Sequence, residues 1–211
     1  MRVLTKDVSW ALARVCGTVV FGSRALITLI TKIRLLSESQ KLWRITETGD
    51  LIGVHQVKRN SGASTLVSSV PANVNFVGPK RLKTNIEVPS IEAGKSGLYF
   101  LPDRVLVRDT KRFSHIHYGD LHVLHGQKRF VENSSPPSDA LQVDTTWRYV
   151  NLNGTPDRRF NNNRQLPVML YGRLKLSTAS GLSWIIQVSR HTVVEPVAEA
   201  VRSAPNIPAG N

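Results

Sequence analysis

Four arginines and one phenylalanine lie in residues 146–167, "TWRYVNLNGTPDRRFNNNRQLP", a polar stretch between two segments that alternate like β-strands. We call this stretch the arginine loop. The flanking strands end near Val150 and resume near Val168, about sixteen residues apart, which is longer than most connections in compact domains. Loops of this length are usually functional or disordered.

The side chains of the arginine loop suit anion or partner binding. Guanidinium groups bind phosphate or carboxylate through forked donors, and a phenylalanine can anchor a loop or stack on a base. Two alternatives stay open: Asp157 and one arginine hold the loop to the domain while the other arginines are solvated, or the loop is catalytic. The candidate binding residues are Arg158, Arg159, Arg164 and Phe160.

Four histidines form a second candidate set. His115 and His117 are two residues apart on a predicted strand and share a face, and His122 and His125 follow closely. Imidazoles in this number could ligate a metal ion and support a metal-dependent hydrolase. A zinc site also needs converging imidazoles with their own hydrogen-bond partners, which spacing does not reveal. The sequence therefore predicts no cofactor and leaves a metal site open as an alternative.

Signatures of other enzyme classes are absent from the sequence. It contains no Gly-x-Ser-x-Gly, no Gly-x-x-x-x-Gly-Lys-Ser phosphate loop and no His-Glu-x-x-His. The single cysteine, Cys16, lies in an apolar stretch and is interpreted as packing rather than as a thiolate nucleophile. One cysteine also excludes a disulfide framework within the chain, which favours a reducing compartment.

The charge balance is strongly basic. Lys and Arg number 28 against 15 Asp and Glu, a formal net charge of +13 in 211 residues. Such an excess attracts phosphate surfaces, whether nucleic acid or anionic lipid. The excess is concentrated towards the two ends of the chain.

The amino-terminal segment, residues 1–40, is predicted to be a basic amphipathic helix. Apolar residues recur at helical spacing from Val8 to Ile33, and Arg14, Arg24 and Lys32 fall on the opposite face. Uncharged runs are too short for a transmembrane span. Three interpretations remain: the helix packs on its own domain, lies in the plane of an anionic membrane, or is a cleaved targeting peptide.

The rest of the chain divides by pattern. Residues 41–84 are predicted to be a hairpin that turns at Thr48–Asp50, then a linker from residue 58. Residues 85–205 are predicted to be a β-rich domain, followed by a tail, 206–211. Within this domain, Pro89 favours an edge strand, and Val193, Val197 and Val201 indicate a closing helix that starts near Pro196.

Three motifs in the β-rich domain resemble a known family. The strand pair "LYFLPDRVLV", the element "HIHYGDLHV" and the hairpin "YGRLKLSTASGLSWIIQVS" before a closing helix are similar to bacterial pleckstrin-homology and GRAM-like domains, over roughly residues 95–203. The resemblance implies a small antiparallel barrel capped by its last helix. It also makes Lys111 and Arg112 the nearest counterparts of a phosphate-binding hairpin. The arginine loop departs from the family pattern.

Together these features predict a mainly β, α+β fold of pleckstrin-homology type. We expect a non-enzymatic module that recognises an anionic membrane surface or a protein partner, in the cytoplasm, either free or peripheral to a membrane. Sequence-independent nucleic-acid binding is the alternative, and a metal-dependent hydrolase is the third hypothesis. No small-molecule substrate is indicated.

Overall fold

A computed structural model gives the architecture of the chain. It describes residues 3–4, 24–50, 65–79, 82, 84, 86–151 and 153–204. The helices are α1, Arg24–Ser37, and α2, Val194–Arg202. The strands are β1 Val3–Leu4, β2 Leu42–Asp50, β3 Thr65–Asn75, β4 Ser90–Ala93, β5 Ser96–Phe100, β6 Arg104–Asp109, β7 Arg112–His117, β8 His122–Val131, β9 Leu141–Trp147, β10 Gln165–Ser177 and β11 Ser183–Val188.

The described strands form one antiparallel ladder in the order β1-β7-β6-β5-β4-β3-β2-β11-β10-β8, with β9 pairing β10 off this path. Strand β3 joins the two halves, because its residues up to Pro71 pair with β2 and those from Ala72 onwards pair with β4. The prediction of a mainly β protein with two helices is therefore confirmed.

The predicted closure into a barrel is wrong. Closure would require β8 to pair with β7, but the free edge of β7 is occupied by β1, with Val3 opposite Ser114 and Leu4 opposite Phe113. A short 3₁₀ turn, Tyr118–Asp120, carries the chain from β7 to β8 without pairing them. The sheet is open, and β1 and β8 are its two ends.

Both helices pack on the core of the sheet. The apolar face of α1 buries Leu29, Ile33 and Leu36 in the same cluster as Val197 and Val201 of α2 and side chains from both halves of the sheet. The four-residue spacing of the valines predicted α2, which starts at Val194, two residues before Pro196. Of the three interpretations of the amino-terminal helix, packing on its own domain describes α1; residues 5–23 lie outside the described part.

Several local predictions need correction. The turn predicted at Thr48–Asp50 is part of β2, where Gly49 faces Leu66 and Asp50 faces Thr65 of β3. Residues 65–75, in the middle of the predicted linker, form strand β3. Since β2 and β3 lie between β4 and β11, the sheet runs across the boundary drawn at residue 85.

Two prolines show how the strands end. Pro89 precedes β4, which is an interior strand rather than the predicted edge, and the Pro89 carbonyl accepts a hydrogen bond from the Phe100 amide at 2.8 Å. Pro102 lies in the tight turn between β5 and β6. A proline without an N–H is tolerated at both places because neither lies inside a ladder.

Candidate functional site

The arginine loop emerges from the end of the β9–β10 pair as an extension of that hairpin. Trp147 faces Gln165, the Arg148 amide donates to the Arg164 carbonyl at 2.9 Å, and an isolated bridge joins Val150 to Pro156. Backbone pairing therefore continues from the sheet into the loop. The loop has a defined conformation instead of the open excursion that its length suggested.

Asparagine side chains fix the loop from inside. The Asn163 side chain accepts from the Tyr149 amide at 3.0 Å and donates to the Tyr149 carbonyl at 2.7 Å. The Asn151 side chain donates to the Thr155 hydroxyl and the Pro156 carbonyl, at 3.0 and 3.2 Å. Gly154 has a φ of +80°, which favours glycine in the turn between these residues. The turn chemistry of the sequence thus closes the tip of the loop.

Asp157 and Arg159 form an ion pair within the loop. Asp157 is buried, and the Arg159 Nε donates to its Oδ1 at 2.9 Å while the side chain of Arg159 stays 73% exposed. These hydrogen bonds raise the pKa of Arg159 above its ordinary value, so the guanidinium stays charged. The pair therefore links two residues within the loop.

An aromatic stack supports the exposed face of the loop. The rings of Tyr149 and Phe160 are nearly parallel, with centroids 4.0 Å apart, and Arg148 lies over the Tyr149 ring at 5.5 Å. Phe160 nevertheless remains 41% exposed. It therefore anchors the loop through one side and presents apolar surface to solvent.

The remaining arginines differ in their surroundings. Arg158 is exposed, and within the described residues it forms neither an ion pair nor a hydrogen bond through its side chain. Arg164 donates to the Asn133 carbonyl at 3.0 Å, which joins the loop to the segment after β8. That segment is in turn joined to the connection between α1 and β2, because the Gln40 amide donates to Asp139 at 2.9 Å.

The residues suggested by the family resemblance lie elsewhere. Lys111 and Arg112 are exposed at the tip of the β6–β7 hairpin, where Arg112 faces Asp109. The β6–β7 hairpin and the β9–β10 pair that bears the arginine loop belong to different halves of the strand order.

The residues predicted to face a membrane from the helix are only partly described. Arg14 lies outside the described residues. Arg24 is exposed at the start of α1, and Lys32 is half-buried on a helix whose apolar face is packed in the core. Among the described residues, the side of α1 that faces away from the core is exposed, and it includes Arg24 and Ile27.

The histidines divide between two surfaces. His115 and His117 lie edge to face, with ring centroids 5.4 Å apart, and with His122 they line a cleft of about 490 Å³ beside Asp120 and Ser180. His125 is three residues after His122 on β8 and so points to the other face. No three His, Cys, Asp or Glu side chains among the described positions are placed to hold one metal ion. The four histidines therefore do not converge.

Sequence reasoning missed Tyr149 and Asn163 as parts of the site. Tyr149 is the platform on which Phe160 stacks. Asn163 is one of three consecutive asparagines, and composition does not indicate which of the three amides turns inward. The run itself was the available signal, because asparagine often bonds nearby backbone in loops.

Comparison with known proteins gives no match: no family model, no curated protein and no solved structure is significantly similar to the chain. None of the helices in the described part combines the length and apolarity needed to cross a bilayer. The function must therefore be inferred from the geometry of the site.

Proposed function

We propose that this protein is a non-enzymatic binding module that recognises an anionic membrane surface through the arginine loop. One observation carries the proposal: a partly exposed phenylalanine, Phe160, lies next to two exposed arginines, Arg158 and Arg159, on a loop held by its own hydrogen bonds. The loop holds four arginines against the single acidic residue Asp157.

This combination of side chains suits the boundary between lipid headgroups and acyl chains. Aromatic rings are favoured at that depth, while guanidinium groups bind phosphate oxygens above it. Each basic residue near an anionic leaflet contributes about 1 kcal/mol of attraction. Because the loop is already ordered by its hydrogen bonds, little conformational entropy would be lost on binding.

The proposal retains the resemblance of residues 95–203 to pleckstrin-homology and GRAM-like domains. A carboxy-terminal helix packed on an antiparallel sheet supports it at the level of architecture, although the sheet is open. Our proposal assigns the lipid contact to the arginine loop, whereas the family resemblance implies the β6–β7 hairpin with Lys111 and Arg112.

Vesicle co-sedimentation tests the proposal. We expect the protein to pellet with phosphatidylcholine vesicles that contain phosphatidylserine and not with phosphatidylcholine alone, and Arg158→Ala to lower the partition coefficient about fivefold. The matched control is Arg24→Ala, which removes the same charge from an exposed position on α1. An equal loss in both variants would show that net charge, and not the loop, binds the vesicle, and would contradict the proposal.

Nucleic-acid binding is the second candidate, and the Tyr149–Phe160 stack beside the arginines favours it. Exposed aromatics bind bases by stacking, and arginines bind the backbone without reading sequence. A gel shift with a single-stranded oligonucleotide discriminates the two candidates. If Arg158→Ala with Arg159→Ala weakened that shift and lowered its salt slope while vesicle binding was absent, the second candidate would replace the first.

A further inference from the structure

Strand β8 has a backbone partner on one side only within the described residues. It pairs with β10 along its whole length, from His122 opposite Ser177 to Val131 opposite Val168, and it ends the ladder of strands. Within the described residues, no strand therefore lies beside the outer edge of β8. Prolines and bulges normally protect an edge strand against pairing with another chain. Strand β8 contains no proline, and its pairing with β10 has no bulge.

Hydrogen-bond alternation identifies the backbone groups that face outward. The Glu132 amide donates to the Pro167 carbonyl at 3.0 Å, in the same register as the rest of the β8–β10 pair. Hydrogen-bonded and non-bonded pairs alternate in an antiparallel ladder, so even-numbered residues of β8 bond to β10 and odd-numbered residues point away. Consistently, the Arg202 Nε donates to the outward carbonyl of Val123 at 3.2 Å.

Helix α2 therefore covers only the start of this edge, and the outward peptide groups of His125, Gln127 and Arg129 follow beyond it. All three side chains are exposed. A Cβ added at Gly126 would meet no atom within 4 Å, so the face of the strand is open there.

The charge of this edge selects the partner. Lys128 lies on one face of β8 and Arg129 on the other, and β8 has no acidic residue. On the neighbouring strand, Arg173 faces Gly126 and Lys175 faces Leu124, on the same face as Lys128. Leu124, 60% exposed, adds an apolar contact on that face. An extended segment with carboxylates on alternate residues complements this pattern.

We infer that β8 is a docking edge for an extended acidic segment of a partner protein, which adds to the sheet as one more strand. Main-chain hydrogen bonds would supply affinity, and alternate side chains would supply specificity. A second copy of this chain is a poor occupant, because antiparallel pairing of two β8 strands brings like charges together and each chain carries a net charge of +13.

The test uses a labelled ten-residue peptide of alternating glutamate and valine, with fluorescence polarisation on the full chain. Gln127→Pro removes one outward N–H without removing a ladder hydrogen bond to β10. We expect it to raise the dissociation constant of the peptide about five- to tenfold, because one main-chain hydrogen bond to the peptide is lost. Gln127→Ala keeps the N–H and is expected to bind within about twofold of the wild type.

Further measurements keep the inference falsifiable. Should Gln127→Pro fail to fold, the double variant Lys128→Glu with Arg129→Glu is expected to lose the acidic peptide. Absence of peptide binding by the wild type, or equal binding by Gln127→Pro and Gln127→Ala, would overturn the inference. So would a dimer in sedimentation that only Gln127→Pro dissociates, because a second copy would then occupy the edge. Vesicle binding is expected to be unchanged in Gln127→Pro, which separates this inference from the proposed function.

Discussion

Replacing Ile33 with alanine is expected to lower the free energy of unfolding by about 2–5 kcal/mol, the range for truncation of a fully buried isoleucine. Ile33 has no exposed surface and packs in the core between the helices and the sheet. The change leaves a cavity that the surrounding strands cannot fill, since close-packed interiors relax only partly. Chemical denaturation followed by circular dichroism measures the loss.

The same helix supplies the control. Ile27→Ala removes the same atoms from a side chain that is 58% exposed, and the small gain in helix propensity is equal in both variants. We expect Ile27→Ala to change the stability by less than about 0.5 kcal/mol. Equal effects at the two positions would contradict the docking of α1 on its own domain and would reopen the in-plane membrane interpretation of this helix.

Gly172→Ala is expected to destabilise the protein by about 1–3 kcal/mol through overpacking. A Cβ at this position of β10 would lie 2.7 Å from the Val194 Cγ1, 2.9 Å from the Val188 Cγ1 and 3.0 Å from the His191 Cα. The first two atoms can move slightly, but the third belongs to the backbone of the 3₁₀ turn His191–Val193, just before α2. Helix α2 would therefore have to move away from the sheet.

Gly126→Ala is the matched control for this change. Gly126 lies on β8 opposite Arg173, the next residue after Gly172, and a Cβ there would have no close neighbour. Alanine restricts the unfolded chain more than glycine does, so we expect Gly126→Ala to be neutral or to stabilise by up to about 1 kcal/mol. Thermal unfolding of both variants measures the difference, and a Gly172→Ala variant as stable as Gly126→Ala would contradict the packing of α2 on β10.

Much of the fold follows from local patterns. Alternation in the "LYFLPDRVLV" and "YGRLKLS" segments predicted β5, β6 and β10, and the four-residue spacing of valines predicted α2. Closure of the sheet could not be predicted in this way, because it depends on which strand occupies the free edge of β7. That edge is taken by a two-residue strand, β1, too short to give a pattern.

The residue types of the candidate site could be predicted from the sequence, but the contacts between them could not. Arginine-rich turn chemistry identified the loop, but it did not indicate which arginine pairs with Asp157; in the structure Arg159, two residues away, does so. That choice depends on the backbone path set by Asn163 and Tyr149. Likewise, Gly49 and Asp50 have turn composition, yet pairing with β3 extends β2 through them. At the end of β2, long-range pairing therefore overrides local propensity.

The most direct measurement of our central claim places an environment-sensitive fluorophore beside Phe160, through Asn161→Cys in a Cys16→Ser background. Asn161 is exposed, so the label should not disturb the loop. On addition of phosphatidylserine-containing vesicles we predict a blue shift and increased emission from this label, and no change from the same label at Lys111→Cys on the β6–β7 hairpin. An unchanged spectrum at position 161, or a response at position 111 alone, would contradict lipid recognition by the arginine loop.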